Sequence, residues 1–231
     1  MTVSIPVVLV VDTGDDDALA LVVAALHPAL DLHGVVCTGG NVQLHTALAN
    51  MVHVLGVLEA DVPVAAGADR ALDGTPFAAR AAHGRDGLAG LAPAEVELPA
   101  SWPPPSALVR PDVVVVSLGP LTSLVGLAFD RVVATYARPG ETNHDLDPVA
   151  GRAIDEVEHV RFRSGAMAPE AAELVRRDGG PLRELVAGLL THQARRGVGL
   201  GDAAAVLWLA EPGLDPALRT RRLVSLVRAK D

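Results

Sequence analysis

Aromatic side chains make up only 3% of this chain, two Trp, one Tyr and three Phe. The core therefore has to be built from Ala, Val and Leu, within an apolar content of 50%. There is one cysteine, Cys37, which excludes an internal disulfide and fits a reducing compartment. Basic residues are also few. Nineteen Lys and Arg stand against 28 Asp and Glu, giving a net charge of −9, and they cluster only in short pairs such as Arg195-Arg196 and Arg221-Arg222. A nucleic-acid surface needs a basic patch, so no nucleic-acid partner is expected. Long apolar runs are missing as well. The opening MTVSIPVVLVV has no basic lead and is cut short by Asp12, too early for a signal peptide or a membrane span. The expectation is a cytoplasmic protein with no membrane partner, a single domain over residues 1–231.

What the sequence does contain is an alternation. Residues 7–11 are a continuous aliphatic run, the mark of a strand buried on both faces. Residues 18–26 read as a helix, closed by His27-Pro28 because proline disfavours a helical residue before it. Strands follow at 32–37, 62–66, 113–118, 131–135 and 157–162, and helices at 44–58, from 119, at 148–156, 181–195 and 202–209. Residues 67–110 are loop-rich and proline-rich. This order implies an α/β fold, a mostly parallel doubly wound (Rossmann-like) sheet with helices on both faces. Such sheets bind ligands beyond the carboxyl ends of their strands. Polar residues collect at those ends: 12–17, 38–41 and 119–122.

The densest collection is VVDTGDDDALAL, with Asp12, Asp15, Asp16 and Asp17 between a strand and a helix. Helix capping and the helix dipole explain one or two such acids, at roughly 0.3–1 kcal/mol per charge. Four within one turn repel each other unless a cation compensates, and hard cations such as Ca²⁺ or Mg²⁺ prefer carboxylate oxygens. The other candidates are weaker alone. TGGN at 38–41 offers Asn41 on a glycine turn, HGRDGLAGL at 83–91 is either a mobile lid or a long connection, and ETNHDLDP holds Glu141 and Asn143 two residues apart. In an extended segment that spacing points both side chains the same way, suiting neighbouring sugar hydroxyls. Asp202 in GLGDAAAVLWL stands at a helix start, where an N-cap accounts for it equally well.

Taken in order, these pieces resemble the inosine–uridine-type nucleoside hydrolases. That family opens with D-x-D-x-G-x-D-D-A-x-A, matched here by Asp12, Gly14, Asp16, Asp17 and Ala18. CTGGNVQLHTALANM, HGRDGLAGL, SLGPLTSLVGLA, ETNHDLDPVAGRAI and LGDAAAVLWLAEP follow in family order, so the resemblance covers about residues 5–215. It implies hydrolysis of an N-ribosidic bond with Ca²⁺ as cofactor. Asp12, Asp17, Asp202 and the backbone oxygen of Thr122 would hold the metal, and Asp12 would take a proton from the attacking water. Asp16, Asn41, Glu141, Asn143 and Asp202 would hold the ribose. A homodimer or homotetramer and a small nucleoside or N-riboside as partner follow from the same resemblance. Asp15 has no family role and is expected to be a solvated helix-start charge.

Four departures accompany the match. The family's first aspartate is Val10, the histidine before its last metal aspartate is Gly201, the asparagine six residues before Glu141 is Thr135, and family members continue past the position of Arg222. Losing that histidine removes a leaving-group acid, for which His83 or His144 would have to stand in. A binding protein for ribose-containing ligands and a metal phosphohydrolase are the competing readings. The latter needs a basic residue beside Asp12, and that turn has none.

Overall fold

The computed structural model describes residues 4–77, 81–136, 143–154, 156–161 and 170–230. Six parallel strands, β1 (Ile5–Val11), β2 (Leu30–Cys37), β3 (Val64–Ala66), β4 (Val114–Ser117), β5 (Arg131–Tyr136) and β6 (Val157–Arg161), lie in the order β3-β2-β1-β4-β5-β6. Strand β1 sits centrally, paired with β2 on one side and β4 on the other. It is the strand from which the chain winds outward in both directions, and such a switch point opens a crevice at the carboxyl edge.

The aliphatic run of β1 explains its central place, since Val7, Val8, Leu9, Val10 and Val11 are all fully buried. Val7, Leu9 and Val11 face helices α1 (Asp15–Leu26), α2 (Leu44–Leu58), α4 (Glu170–Arg176), α5 (Pro181–Arg195), α6 (Ala203–Ala210) and α7 (Arg219–Ala229). Val8 and Val10 face the other layer, where Leu121, Leu124 and Ala150 of α3 (Pro148–Ala153) pack. Helix α1 is apolar all round because it packs against α2, α5, α6 and α7 at once. Its last turn is held by an ion cluster. His27 Nδ1 accepts from the Ala29 amide at 3.2 Å, which leaves Nε2–H to donate to Glu211 at 2.8 Å, and Arg222 Nε meets the same carboxylate at 2.6 Å.

Most expected elements form with shifted ends, and three expectations change. The segment from 119 makes only a 3₁₀ turn, Leu121–Leu124, because Val125 turns extended and Gly126 takes φ +79°. The helix expected over 148–156 stops at Ala153, where Ile154 leaves the helical region. Helices α4 and α7 were not anticipated; α4 is only seven residues long, and α7 sets four arginines among its apolar positions.

Asp147 anchors the thinner layer. Its carboxylate accepts from the amides of Val149 (3.1 Å) and Ala150 (3.0 Å), capping α3, and also from the Leu72 amide (2.9 Å) and the Thr122 hydroxyl (2.7 Å). Burial works against the charged form, but these donors outweigh it and hold its pKa below the usual value. Asp147→Ala removes a cap and a charged acceptor from three elements. The expected loss is about 2 kcal/mol, read as a fall in Tm of roughly 4–8 °C for a chain of this size.

Candidate functional site

The carboxyl ends of β1, β2, β4 and β5 converge on the aspartates. Asp12 follows β1 directly and is fully buried; Oδ2 accepts the Asn41 amide at 2.7 Å and Oδ1 accepts Asn41 Nδ2 at 3.0 Å. Asn41 comes from the glycine turn after β2, and its Nδ2 also donates to Asp17 Oδ2 at 3.0 Å. Asp17 reaches back to cap its own helix, accepting the Gly14 amide at 2.8 Å. The turn between them places Thr13 at φ +34°, an uncommon backbone state for a non-glycine residue. Gly40 must be glycine, because a Cβ there would lie 2.0 Å from Asp12 Oδ2. Gly40→Ala is expected to push Asp12 aside and lower turnover about 10²-fold, since displacements near 1 Å at a reacting centre have effects of that size. Steady-state kinetics on the purified variant read it.

Asp202 enters from the start of α6, 8% exposed, with no cap bond to its helix, which sets aside the N-cap alternative. One carboxylate oxygen each from Asp16, Asp17 and Asp202 lie within 4.8 Å of one another. Burial, reinforced by the charges of Asp16, Asp17 and Asp12, pushes Asp202 well above the usual carboxylate range, with a Thr135 hydrogen bond opposing. Asp12 is raised likewise by burial and then by Asp17, and Asp17 is pushed up to about 7 by burial and Asp16. Asp16 Oδ1 and Asp17 Oδ1 are buried and accept no hydrogen bond among the described residues. Crowded, mutually repelling carboxylates with orphaned oxygens fit a divalent cation, whose ligands of choice are such oxygens. The Asp16 side chain is 20% exposed, against 0% for Asp12 as a whole residue, so Asp16 stands at the mouth and Asp12 at the floor.

The remaining candidates are placed as follows. Thr122 lies in the 3₁₀ turn after β4, its hydroxyl held by Asp147. Asn143 opens the 3₁₀ helix Asn143–Leu146 rather than an extended segment, so the same-side argument does not apply to it. Glu141 lies outside the described residues. His83 is buried beside the cradle, with Nδ1 against Asp15 and 3.5 Å from Asp16 Oδ1. Burial disfavours its charged form, but Asp15, Asp16 and Asp17 prevail and raise its pKa.

Asp15 corrects the sequence reading. It is fully buried, not solvated, and accepts from His83 Nδ1 and from Gln193 Nε2 at 2.9 Å. His192 Nε2 and Arg196 Nη1 each lie 3.7 Å from it. The helix start turns this carboxylate toward α5, whose contributing residues are some 180 positions away. No local signal marked Gln193, His192 or Arg196. Thr135 did carry one, as the penultimate residue of β5 at the sheet's carboxyl edge.

A doubly wound parallel sheet of the α/β class thus carries at its switch point a cluster of carboxylates, a donor set that suits a hard cation. The chain belongs to the family of inosine-uridine preferring nucleoside hydrolases, whose model matches residues 7–131. A non-specific ribonucleoside hydrolase, RihC of Escherichia fergusonii, is 28% identical over 244 residues, covering 91% of this chain and 80% of its own length. An uncharacterized protein of Corynebacterium ammoniagenes is 48% identical over 84 residues, 35% of this chain and 89% of that one. Among solved structures, a plant nucleoside hydrolase superposes with TM-score 0.76 at 23% identity, covering 90% of this chain and 79% of the other. A purine-preferring ribonucleoside hydrolase of Gardnerella vaginalis gives 0.75 at 20% identity, covering 90% and 81%. These likenesses support the fold. Among the described residues no helix is long and apolar enough to cross a membrane.

Proposed function

We propose that this chain hydrolyses the N-glycosidic bond of a ribonucleoside or related N-riboside, giving ribose and free base, with Ca²⁺ in its acidic cradle. The observation that carries this reading is the convergence of Asp12, Asp16, Asp17, Asn41 and Asp202, with two buried carboxylate oxygens that accept no hydrogen bond among the described residues. Asp12, Asp17, Asp202 and the Thr122 backbone oxygen are assigned to the cation. A bound divalent cation supplies Lewis-acid charge that makes water more acidic and draws ribose hydroxyls into register. Asp16, Asn41, Glu141, Asn143 and Asp202 are assigned to those hydroxyls. As the bond breaks, positive charge builds on the ribose ring, and the carboxylates around it stabilise that charge. Asp12, fixed by two hydrogen bonds from Asn41, accepts the proton of the attacking water. Cytoplasmic residence and a homodimer or homotetramer belong to the same reading, and sedimentation reads the second.

The test is ribose release, by a reducing-sugar assay with calcium, across nucleosides and their 5′-monophosphates. Release from at least one substrate supports the reading and identifies the base. Calcium-dependent ligand binding with no release from any substrate replaces it with a ribose-binding protein, the reading favoured by Gly201 where the family has histidine.

A further inference from the structure

The cradle presents acceptors, and the donors around it are engaged within the chain. Asn41 Nδ2 is directed at Asp12 and Asp17, and the Gly14 amide at Asp17. His83 Nδ1, the ring atom facing Asp16, is bonded to Asp15, and Gln193 Nε2 donates to the same carboxylate at 2.9 Å. His192 Nε2 donates to the Ala82 carbonyl at 3.2 Å, and the Thr135 side chain bonds Asp202. Beside Asp16 Oδ2 the backbone is closed to any side chain: Gly201 has φ +53°, and a Cβ on it would lie 2.3 Å from that oxygen. The cradle atoms that accept no hydrogen bond among the described residues are oxygens, Asp16 Oδ1 and Asp17 Oδ1.

Charge follows the same pattern. Arg196 Nη1 lies 3.7 Å from Asp15. When ionised, Asp12, Asp15, Asp16, Asp17 and Asp202 carry more charge than one divalent cation, Arg196 and a protonated His83 together balance. The leaving nitrogen of an N-riboside is one bond from C1′, so it shares these surroundings with the sugar. A neutral base takes the bonding electron pair and departs as an anion unless a donor protonates it. Among carboxylates that anion is repelled. A base that is already cationic departs neutral, needs no donor, and is attracted before the bond breaks.

Resting on the N-riboside hydrolase reading, we propose that the substrate class of this site is the cationic N-riboside, in which the ring bonded to C1′ is itself positively charged, as in a pyridinium. In the step, the bond from C1′ to the ring nitrogen breaks and its electron pair stays on that nitrogen, which leaves as a neutral base. The positive charge passes to the ribose ring, within reach of the same carboxylates. The water oxygen bonds to C1′ and its proton goes to Asp12, which returns it to solvent. Charge moves from base to sugar and none has to be created in the cleft.

The experiment measures the calcium-loaded protein on four substrates. Nicotinamide riboside carries a pyridinium, uridine and inosine carry neutral bases, and 4-nitrophenyl β-D-riboside is neutral but departs without a proton. kcat on nicotinamide riboside should exceed that on uridine and on inosine by about 10²-fold or more, the size of the acid assistance that neutral bases need. Its KM should lie at least about threefold below those of the three neutral ribosides, because its charge is attracted in the ground state. A kcat on uridine or inosine within about tenfold of it overturns the proposal, since a donor must then serve the neutral base. A KM no lower than that of the nitrophenyl riboside also overturns it, leaving the rate to the pyridinium's own lability. Cleavage of the nitrophenyl riboside without cleavage of nicotinamide riboside overturns this proposal alone, and the hydrolase reading stands. Cleavage of none of the four defeats the hydrolase reading, and this proposal with it.

Discussion

Asp12→Asn is expected to lower ribose release by about 10³-fold, within the range general-base assistance supplies. The substitution keeps the side chain's size and removes its charge and its capacity to take a proton. It also sets an amide N–H against the two donors of Asn41 that now point at carboxylate oxygens 2.7 and 3.0 Å away. One of those donors then loses its acceptor in a buried place, so cation affinity should fall together with kcat. Initial rates at saturating calcium separate the two effects. A kcat within tenfold of the unaltered protein would remove Asp12 from the role of base.

The second large effect is on stability, and it has an unusual sign. Carboxylates paired with cations or hydrogen-bonded in a fold have depressed pKa values; here Asp12, Asp17 and Asp202 are raised by burial and by one another, Asp17 to about 7. A group that holds its proton more tightly when folded contributes stability fully below its unfolded pKa of 3.8 and loses it as pH rises through the folded value. Without divalent cation, the protein should therefore lose stability between about pH 4 and 7, on the order of a few kcal/mol. Calcium reverses the slope, because it binds the deprotonated carboxylates and displaces their protons. Thermal unfolding with chelator and with calcium, at pH 5 and pH 8, reads this. The calcium-induced rise in Tm should be much larger at pH 8, and an equal rise at both values would mean that the cation sits elsewhere.

Much of this organisation is legible in the sequence because it is local. The aliphatic run of β1, the aspartates after it and the glycine turn before Asn41 lie within residues 7–41, and each has a periodicity or a spacing to read. The parallel sheet follows from the alternation alone. Asp15 shows where such reading ends. Its neighbours suggest a solvated helix start, but its environment is made by Gln193 and His83, which chain order does not connect to it. The 3₁₀ turn after β4 was masked in another way. Its residues favour a helix, and the backbone of Val125 and Gly126 ends it in the short path to β5. The ion cluster of His27, Glu211 and Arg222 likewise joins helix ends whose charges look scattered in one dimension.

The loop that carries His83 has a consequence for the timing of catalysis. Asp86 accepts the amides of Leu88, Gly90 and Ala92, and its carbonyl accepts Asn50 Nδ2 at 2.7 Å. Three of these bonds fold the loop on itself, and the Asn50 bond, with those of His83 to Asp15 and of His192 to the Ala82 carbonyl, ties it to helices α2, α1 and α5. HGRDGLAGL is thus anchored to three helices of the thicker layer. The ring at its start is in place before any ligand arrives, and the chemical step carries no reorganisation cost on that side of the cleft. Ligand exchange should proceed at the rate of a rigid opening, and the step that limits turnover is to be sought in bond breaking, not in a gate.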